Sequence, residues 1–167
     1  MKKDSNAAKA TPSSAGITRD DLIKNLNEDL AREYQAIIAY TVYSQVLKGA
    51  EYMNIADELE VHATEELQHA ITLSNQIDYL GGMPTATPKP VVLTEDNKGM
   101  LRADLNNETE TILNYRERVK QCEELGEYAI AEHIREILIQ EQDHLIALAT
   151  ALGIDPPKLD DSRKPKQ

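Results

Sequence analysis

Residues 62–73 read HATEELQHAITL and residues 137–148 read ILIQEQDHLIAL. Both stretches carry the apolar spacing of a buried helix face, and both interrupt it with Glu-x-x-His: Glu66 with His69, and Glu141 with His144. A further glutamate stands 33 residues before each motif, at Glu33 and Glu108, so a first set of three recurs 75 residues later as a second. The repeat is wider than these polar positions. Leu26, Leu30, Ile37, Tyr40, Leu59 and Leu73 recur at the same offset as Leu101, Leu105, Ile112, Tyr115, Ile134 and Leu148.

Glycine and proline are missing from 17–48, 50–80, 100–125 and 127–152, which predicts four long helices. Thr18 with Asp21 forms a capping box for the first, and Gly81-Gly82-Met83-Pro84 ends the second. Turns near Gly49 and Gly126 are short, so each pair of helices is an antiparallel hairpin. Between the hairpins, Gly81 to about Thr94 contains Pro84, Pro88 and Pro90 and is long enough to run the length of a bundle. The expected fold is all-α: a four-helix bundle over residues 18–153 made of two hairpins joined by one long crossover. Residues 1–17 are expected to form a disordered basic tail and residues 154–167 a flexible C-terminal tail.

Periodicity places the polar repeat inside the bundle. The seams read Leu26, Leu30, Glu33, Ile37, Tyr40; then Ile55, Leu59, His62, Glu66, His69, Leu73; then Leu101, Leu105, Glu108, Ile112, Tyr115, Val119, Cys122; and last Ile130, Ile134, Ile137, Glu141, His144, Leu148. Burying one unpaired carboxylate costs several kcal/mol, and here four share a small volume. No Lys or Arg lies on these seams to form a buried ion-pair network, which is the competing explanation. Two divalent cations would neutralise all four carboxylates at once. Each Glu-x-x-His offers an oxygen and a nitrogen on one side of its helix. Carboxylate and imidazole donors suit iron or manganese, with zinc as a substitute, and three donors per metal leave open positions. Glu66 and Glu141 are expected to bridge, Glu33 and Glu108 to bind terminally, and His69 and His144 each to cap one metal.

Neighbouring residues carry two readings each. Tyr40 and Tyr115 either assist the centre, through a hydrogen bond or as an electron donor, or are core aromatics with satisfied hydroxyls. His62 lines an entry path or binds a transient third ion, or is a core histidine. Cys122 is read as a small buried residue, while Glu65 and Gln142 flank the ligands and are expected to point elsewhere.

Composition sets limits. The 167 residues include no Trp or Phe, seven Tyr and a single cysteine, so the core is aliphatic plus tyrosine and no intrachain disulfide forms. No apolar run reaches the roughly 20 residues of a membrane span and no signal-peptide pattern opens the chain, so a cytoplasmic protein is expected. Of the net charge of −11, residues 1–19 hold +3 and residues 158–167 hold +2, leaving −16 on the body. Such a body attracts cations and repels DNA.

With these residues in hand, the sequence resembles the bacterioferritin branch of the ferritin-like superfamily, and within it the Dps-like ferritins with a bacterioferritin-type di-iron centre. The resemblance rests on LAREYQAIIAY (30–40), EELQHA (65–70), LRADLNNE (101–108) and EQDH (141–144), and runs from about residue 18 to Gly153. It implies two irons per subunit at Glu33, Glu66, His69, Glu108, Glu141 and His144, with Tyr40 as the near-site tyrosine. It also implies ferroxidase activity with O2 or H2O2 and ferric mineral stored inside a homo-oligomeric shell. Haem is not expected, because Leu67 stands where bacterioferritins carry the haem-ligating methionine. No fifth helix is evident after Gly153, which favours a dodecamer over a 24-mer, and the cysteine pair common in the Dps-like subgroup is missing. Two alternatives remain: a non-storing di-iron or di-manganese oxidase, peroxidase or catalase, and a Dps-like DNA-protecting protein acting through its lysine-bearing tails.

Overall fold

The computed structural model describes residues 16–159, and the two tails, including the lysines of the DNA-protecting reading, lie largely outside them. Among the described residues four α-helices form: α1 (Arg19–Val46), α2 (Met53–Tyr79), α3 (Asn97–Glu124) and α4 (Tyr128–Leu152). The Thr18 hydroxyl accepts the Asp21 N–H while the Asp21 carboxylate accepts the Thr18 N–H, so the predicted capping box closes. A one-turn 3-10 segment, Ala50–Tyr52, leads into α2 after Gly49, whose φ of 118° a side chain would disfavour. Helix α3 begins three residues before the expected Met100. The Asp96 carboxylate accepts the N–H of Gly99 at 2.8 Å, and this cap draws Gly99 into the first turn.

Each helix packs most extensively on its hairpin mate, α1 on α2 and α3 on α4, and the hairpins meet along α1–α3 and α2–α4. The crossover is strapped to α1. Asn27 accepts the Thr85 N–H and donates to the Met83 carbonyl, the Lys89 N–H donates to the Ala31 carbonyl, Tyr43 donates to the Val92 carbonyl, and Asn97 exchanges hydrogen bonds with the Lys48 backbone. The segment therefore travels from the start of α1 to its end, and α3 starts beside the end of α1 and runs antiparallel to it.

The core divides along the bundle axis. One apolar cluster gathers Tyr40, Tyr43, Leu59, Leu101, Ile112 and Leu148; the other gathers Leu22, Leu26, Leu73, Ile77, Ile130 and Ile134. Burying each such side chain contributes about 1.5–3 kcal/mol. The layer between them is polar.

Tight packing begins where the crossover leaves α2. A Cβ built on Gly82 would lie 2.5 Å from Ile23 Cγ2 and 3.1 Å from Ile77 Cγ2, both stiff β-branched groups. Gly82→Ala is expected to lose about 1–3 kcal/mol by overpacking, read as a lower denaturant midpoint at unchanged slope.

Candidate metal centre

The polar layer contains the six predicted donors. Glu33 comes from α1, Glu66 and His69 from α2, Glu108 from α3, and Glu141 and His144 from α4; none is more than 2% exposed. His69 Nδ1 lies 2.9 Å from Glu66 Oε2 and 3.3 Å from both Glu33 Oε2 and Glu141 Oε1. His144 Nδ1 lies 3.1 Å from Glu66 Oε1 and 3.6 Å from Glu141 Oε2. The donors fall into two overlapping sets, Glu33–Glu66–His69–Glu141 and Glu66–Glu108–Glu141–His144, each with ligand atoms within 4.8 Å of one another. Glu66 and Glu141 belong to both sets, Glu33 and Glu108 to one each.

The two tyrosines tie the hairpins together at this layer. Tyr40 on α1 donates to Glu108 Oε1 on α3, and Tyr115 on α3 donates to Glu33 Oε1 on α1. Even so, the second oxygens of Glu33 and Glu108 and both oxygens of Glu141 are buried with no hydrogen-bond partner. Each unmet group costs about 1–3 kcal/mol. Four orphaned carboxylate oxygens converging from three helices fit the demand of two divalent cations.

Without cations, protons balance the layer. Burial, then the fields of Glu66 and Glu141, raise Glu33 and Glu108 well above the usual carboxylate range. Burial opposes ionisation of Glu66 too, but the close approach of Glu33, His144 and His69 outweighs it and holds Glu66 down. Glu141 is likewise lowered, against burial and the charge of Glu66, by His144, His69 and Glu108. For the imidazoles burial works against the charge, yet the carboxylates prevail: His69 is pushed up strongly and His144 up to about 10. The metal-free layer thus favours protons on Glu33, Glu108, His69 and His144 over protons on Glu66 and Glu141.

The outer ring nitrogens also have partners. His69 Nε2 lies 2.8 Å from Gln140 Oε1, His144 Nε2 lies 2.8 Å from Glu65 Oε2, and Gln140 donates to Glu65 Oε1 at 3.3 Å. The expectation that Glu65 points elsewhere is therefore wrong. It faces away from its own helix's seam, and α4 brings His144 across to meet it. Glu65 and Gln140 are themselves 75 residues apart, so the repeat contained the clue. Gln142 is exposed as expected.

The repeat also pairs Asp29 with Asp104, both buried and both unforeseen. Arg118 meets Asp29 through two hydrogen bonds of 2.6 and 3.1 Å. Tyr43 occupies the position equivalent to Arg118 in the other half, and Asp104 keeps one oxygen without a partner. Burial raises Asp104 well above its ordinary value, so it holds its proton. Cys122 is buried, and burial pushes its thiol up to about 11, consistent with a packing role.

Two measurements follow from the proton balance. Filling the centre at neutral pH should release protons from Glu33, Glu108, His69 and His144, read by calorimetry in buffers of differing ionisation enthalpy. For the metal-free protein, the raised groups bind more protons folded than unfolded. The stabilisation tied to His144 is complete below about pH 6.5 and is lost as pH rises through about 10, so the metal-free Tm should fall over that window.

Comparison with known proteins agrees with this architecture. A family model described as the ferritin-like domain matches residues 23–155. A bacterioferritin of Brucella melitensis is 30% identical over 134 residues, covering 80% of this chain and 83% of the relative. A bacterial ferritin of Paramagnetospirillum magnetotacticum is 27% identical over 139 residues, covering 81% and 85%. A crystal structure of ferritin-like, diiron-carboxylate proteins from Bacillus anthracis superposes with a TM-score of 0.77 at 33% identity, covering 80% of this chain and 96% of that one. The match covers most of the chain, and the chain belongs to the ferritin-like family.

Proposed function

We propose that the protein is a ferroxidase of a mini-ferritin: it takes Fe2+ as substrate, oxidises it with O2 or H2O2, and stores the ferric product in a homo-oligomeric shell. The observation that supports this most strongly is the pair of overlapping donor sets sharing Glu66 and Glu141. Held there, two Fe2+ ions can each give one electron to a bound oxidant; with H2O2, two Fe2+ and two protons yield two Fe3+ and two water molecules. Glu66 and Glu141, common to both sets, would hold the ions close enough to act on one oxidant molecule.

The chain's own groups account for delivery and proton traffic. A narrow cleft between α1 and α3, edged by Arg32, Gln35, Asn107 and Thr111, reaches the four glutamates. Arg32 pairs with Glu110 at 2.6 Å beside this opening, so the cationic head is turned to a surface carboxylate. Cations entering displace protons from Glu33, Glu108, His69 and His144, and those protons are available to the reduced oxygen. Tyr40 and Tyr115 fix the terminal carboxylates, and Glu65 and Gln140 fix the imidazoles. Their phenol protons are held firmly, since burial raises both tyrosines well above their ordinary range.

The peroxide-detoxifying role and the cytoplasmic setting belong to the same proposal. No helix among the described residues is long and apolar enough to cross a membrane. Among shell sizes we favour the dodecamer, as the resemblance to the Dps-like ferritins implies.

Glu66→Ala should slow initial Fe2+ oxidation by more than about 100-fold, since even outer partners of metal ligands are worth about 10–100-fold. Stopped-flow absorbance of ferric product reads this, and a near-normal rate would mean that the reacting site lies elsewhere. Graded anaerobic Fe2+ loading followed by H2O2 tests storage. Soluble ferric iron far beyond two per chain supports a mineral-holding shell, and uptake that stops near two would overturn it in favour of a non-storing oxidase.

A further inference from the structure

The two candidate metal positions have the same kinds of donor, so a difference between them must come from groups behind the donors. Glu33 and Glu108 are matched, each held by a tyrosine of the facing hairpin. The imidazoles are not matched. His69 and His144 both turn Nδ1 into the layer and Nε2 outward. On the outer side, His69 Nε2 meets the Gln140 amide and His144 Nε2 meets the Glu65 carboxylate, both at 2.8 Å. Glu65 and Gln140 are counterparts in the repeat, so one half of the protein places a charge where the other places a neutral group of the same size.

A run of hydrogen bonds joins these four side chains. Glu65 as a carboxylate can only accept, so one of its oxygens takes the Nε2–H of His144 and the other takes the Gln140 amide N–H at 3.3 Å. That fixes the orientation of the amide and leaves Gln140 Oε1 to accept the Nε2–H of His69. Both imidazoles are thereby set with Nδ1 toward the centre, and they differ in the acceptor behind them. A carboxylate pulls on the N–H proton more strongly than an amide does, which makes the opposite nitrogen the better donor. Its negative charge also lies within one ring's width of the position that His144 caps. His62 stacks on the His144 ring with centroids 4.0 Å apart and steadies its plane.

We infer that the two positions fill in order: the one capped by His144 takes the first divalent cation and the one capped by His69 the second, with Glu65 as the positioning residue that sets the order. The inference rests on the di-metal reading of the centre. Glu66 and Glu141 belong to both donor sets and cannot supply the difference. Outer partners of metal-bound histidines are worth about 10–100-fold in affinity; exchanging a carboxylate for an amide keeps the hydrogen bond, so a difference of about tenfold is expected. Reduction of peroxide to water needs two electrons. At low Fe2+ it therefore waits on the weaker, His69-capped position.

The test loads the full-length protein anaerobically with less Co2+ than one ion per chain, crystallises it and reads anomalous scattering at the cobalt edge. The peak beside His144 is expected to exceed the peak beside His69 about tenfold in occupancy. Glu65→Gln combined with Gln140→Glu runs the hydrogen bonds the other way at unchanged composition and charge, and should move the stronger peak to His69. Glu65 is 32% exposed and Gln140 half-buried, so this exchange spares both apolar clusters. In solution, competition with a chromophoric chelator should show the first Co2+ bound about tenfold more weakly by Glu65→Gln alone, with the second nearly unchanged. Equal peaks, a stronger peak at His69 in the unsubstituted protein, or a stronger peak that stays at His144 after the exchange would overturn the inference and leave the di-metal centre standing. No peak among the six donors at any loading would overturn the di-metal reading itself, and the filling order with it.

Discussion

Everything in this bundle is arranged around the neutralisation of four carboxylates in a dry layer. Left ionised and unpaired, they would repel one another across a few ångströms of low-dielectric interior, at a cost no single domain could bear. The fold has two ways to cancel that charge. Protons do it when they occupy Glu33, Glu108, His69 and His144. Cations do it when they displace those protons. Either route leaves the four carboxylates compensated inside the bundle. The apolar clusters on either side can therefore pack tightly, and each pins the layer from one end.

Twofold likeness governs the inner parts of the layer and gives way outside it. The six donors and the two tyrosines obey the repeat without exception. Around them it loosens: Glu65 against Gln140, His62 against Ile137, Tyr43 against Arg118. Glu65 stands behind His144 where Gln140 stands behind His69, and His62 stacks on His144. A carboxylate is a stronger acceptor than an amide, so the imidazole of His144 is the more electron-rich of the two ligands. Two metal positions built from identical donors are thereby made unequal by what stands behind them.

Much of this is legible in the sequence, and the reason is physical. A polar residue on an otherwise apolar seam costs so much that its presence carries meaning, and Glu33, Glu66, His69, Glu108, Glu141 and His144 all announce themselves that way. Glycine and proline marked the helix ends for the same reason, since each constrains or frees φ at a known place. Glu65 was misread because a residue next to a ligand points about 100° away from it around the helix, and only the packing of α4 reveals what waits there. Asp29 stood within helical spacing of Leu26 and Glu33 but beside Leu30, so the seam could be drawn through either. The early start of α3 was hidden because Gly99 reads as a breaker unless its N–H has a cap, and Asp96 supplies one.

The crossover has a consequence for how the molecule comes together. Each hairpin brings three of the six donors, and neither holds a complete set for even one metal. The contacts within a hairpin are close in sequence, whereas the seam between hairpins joins residues as far apart as Glu33 and Tyr115. Chains of this kind gain their local contacts quickly and their distant ones late. The strap along α1, stiffened by three prolines, shortens that search by delivering α3 antiparallel to α1 and in register with it. An apo chain would therefore assemble as two preformed halves, and cation supply would govern how firmly they are clasped: scarcity of metal loosens the seam between hairpins long before it touches the hairpins themselves.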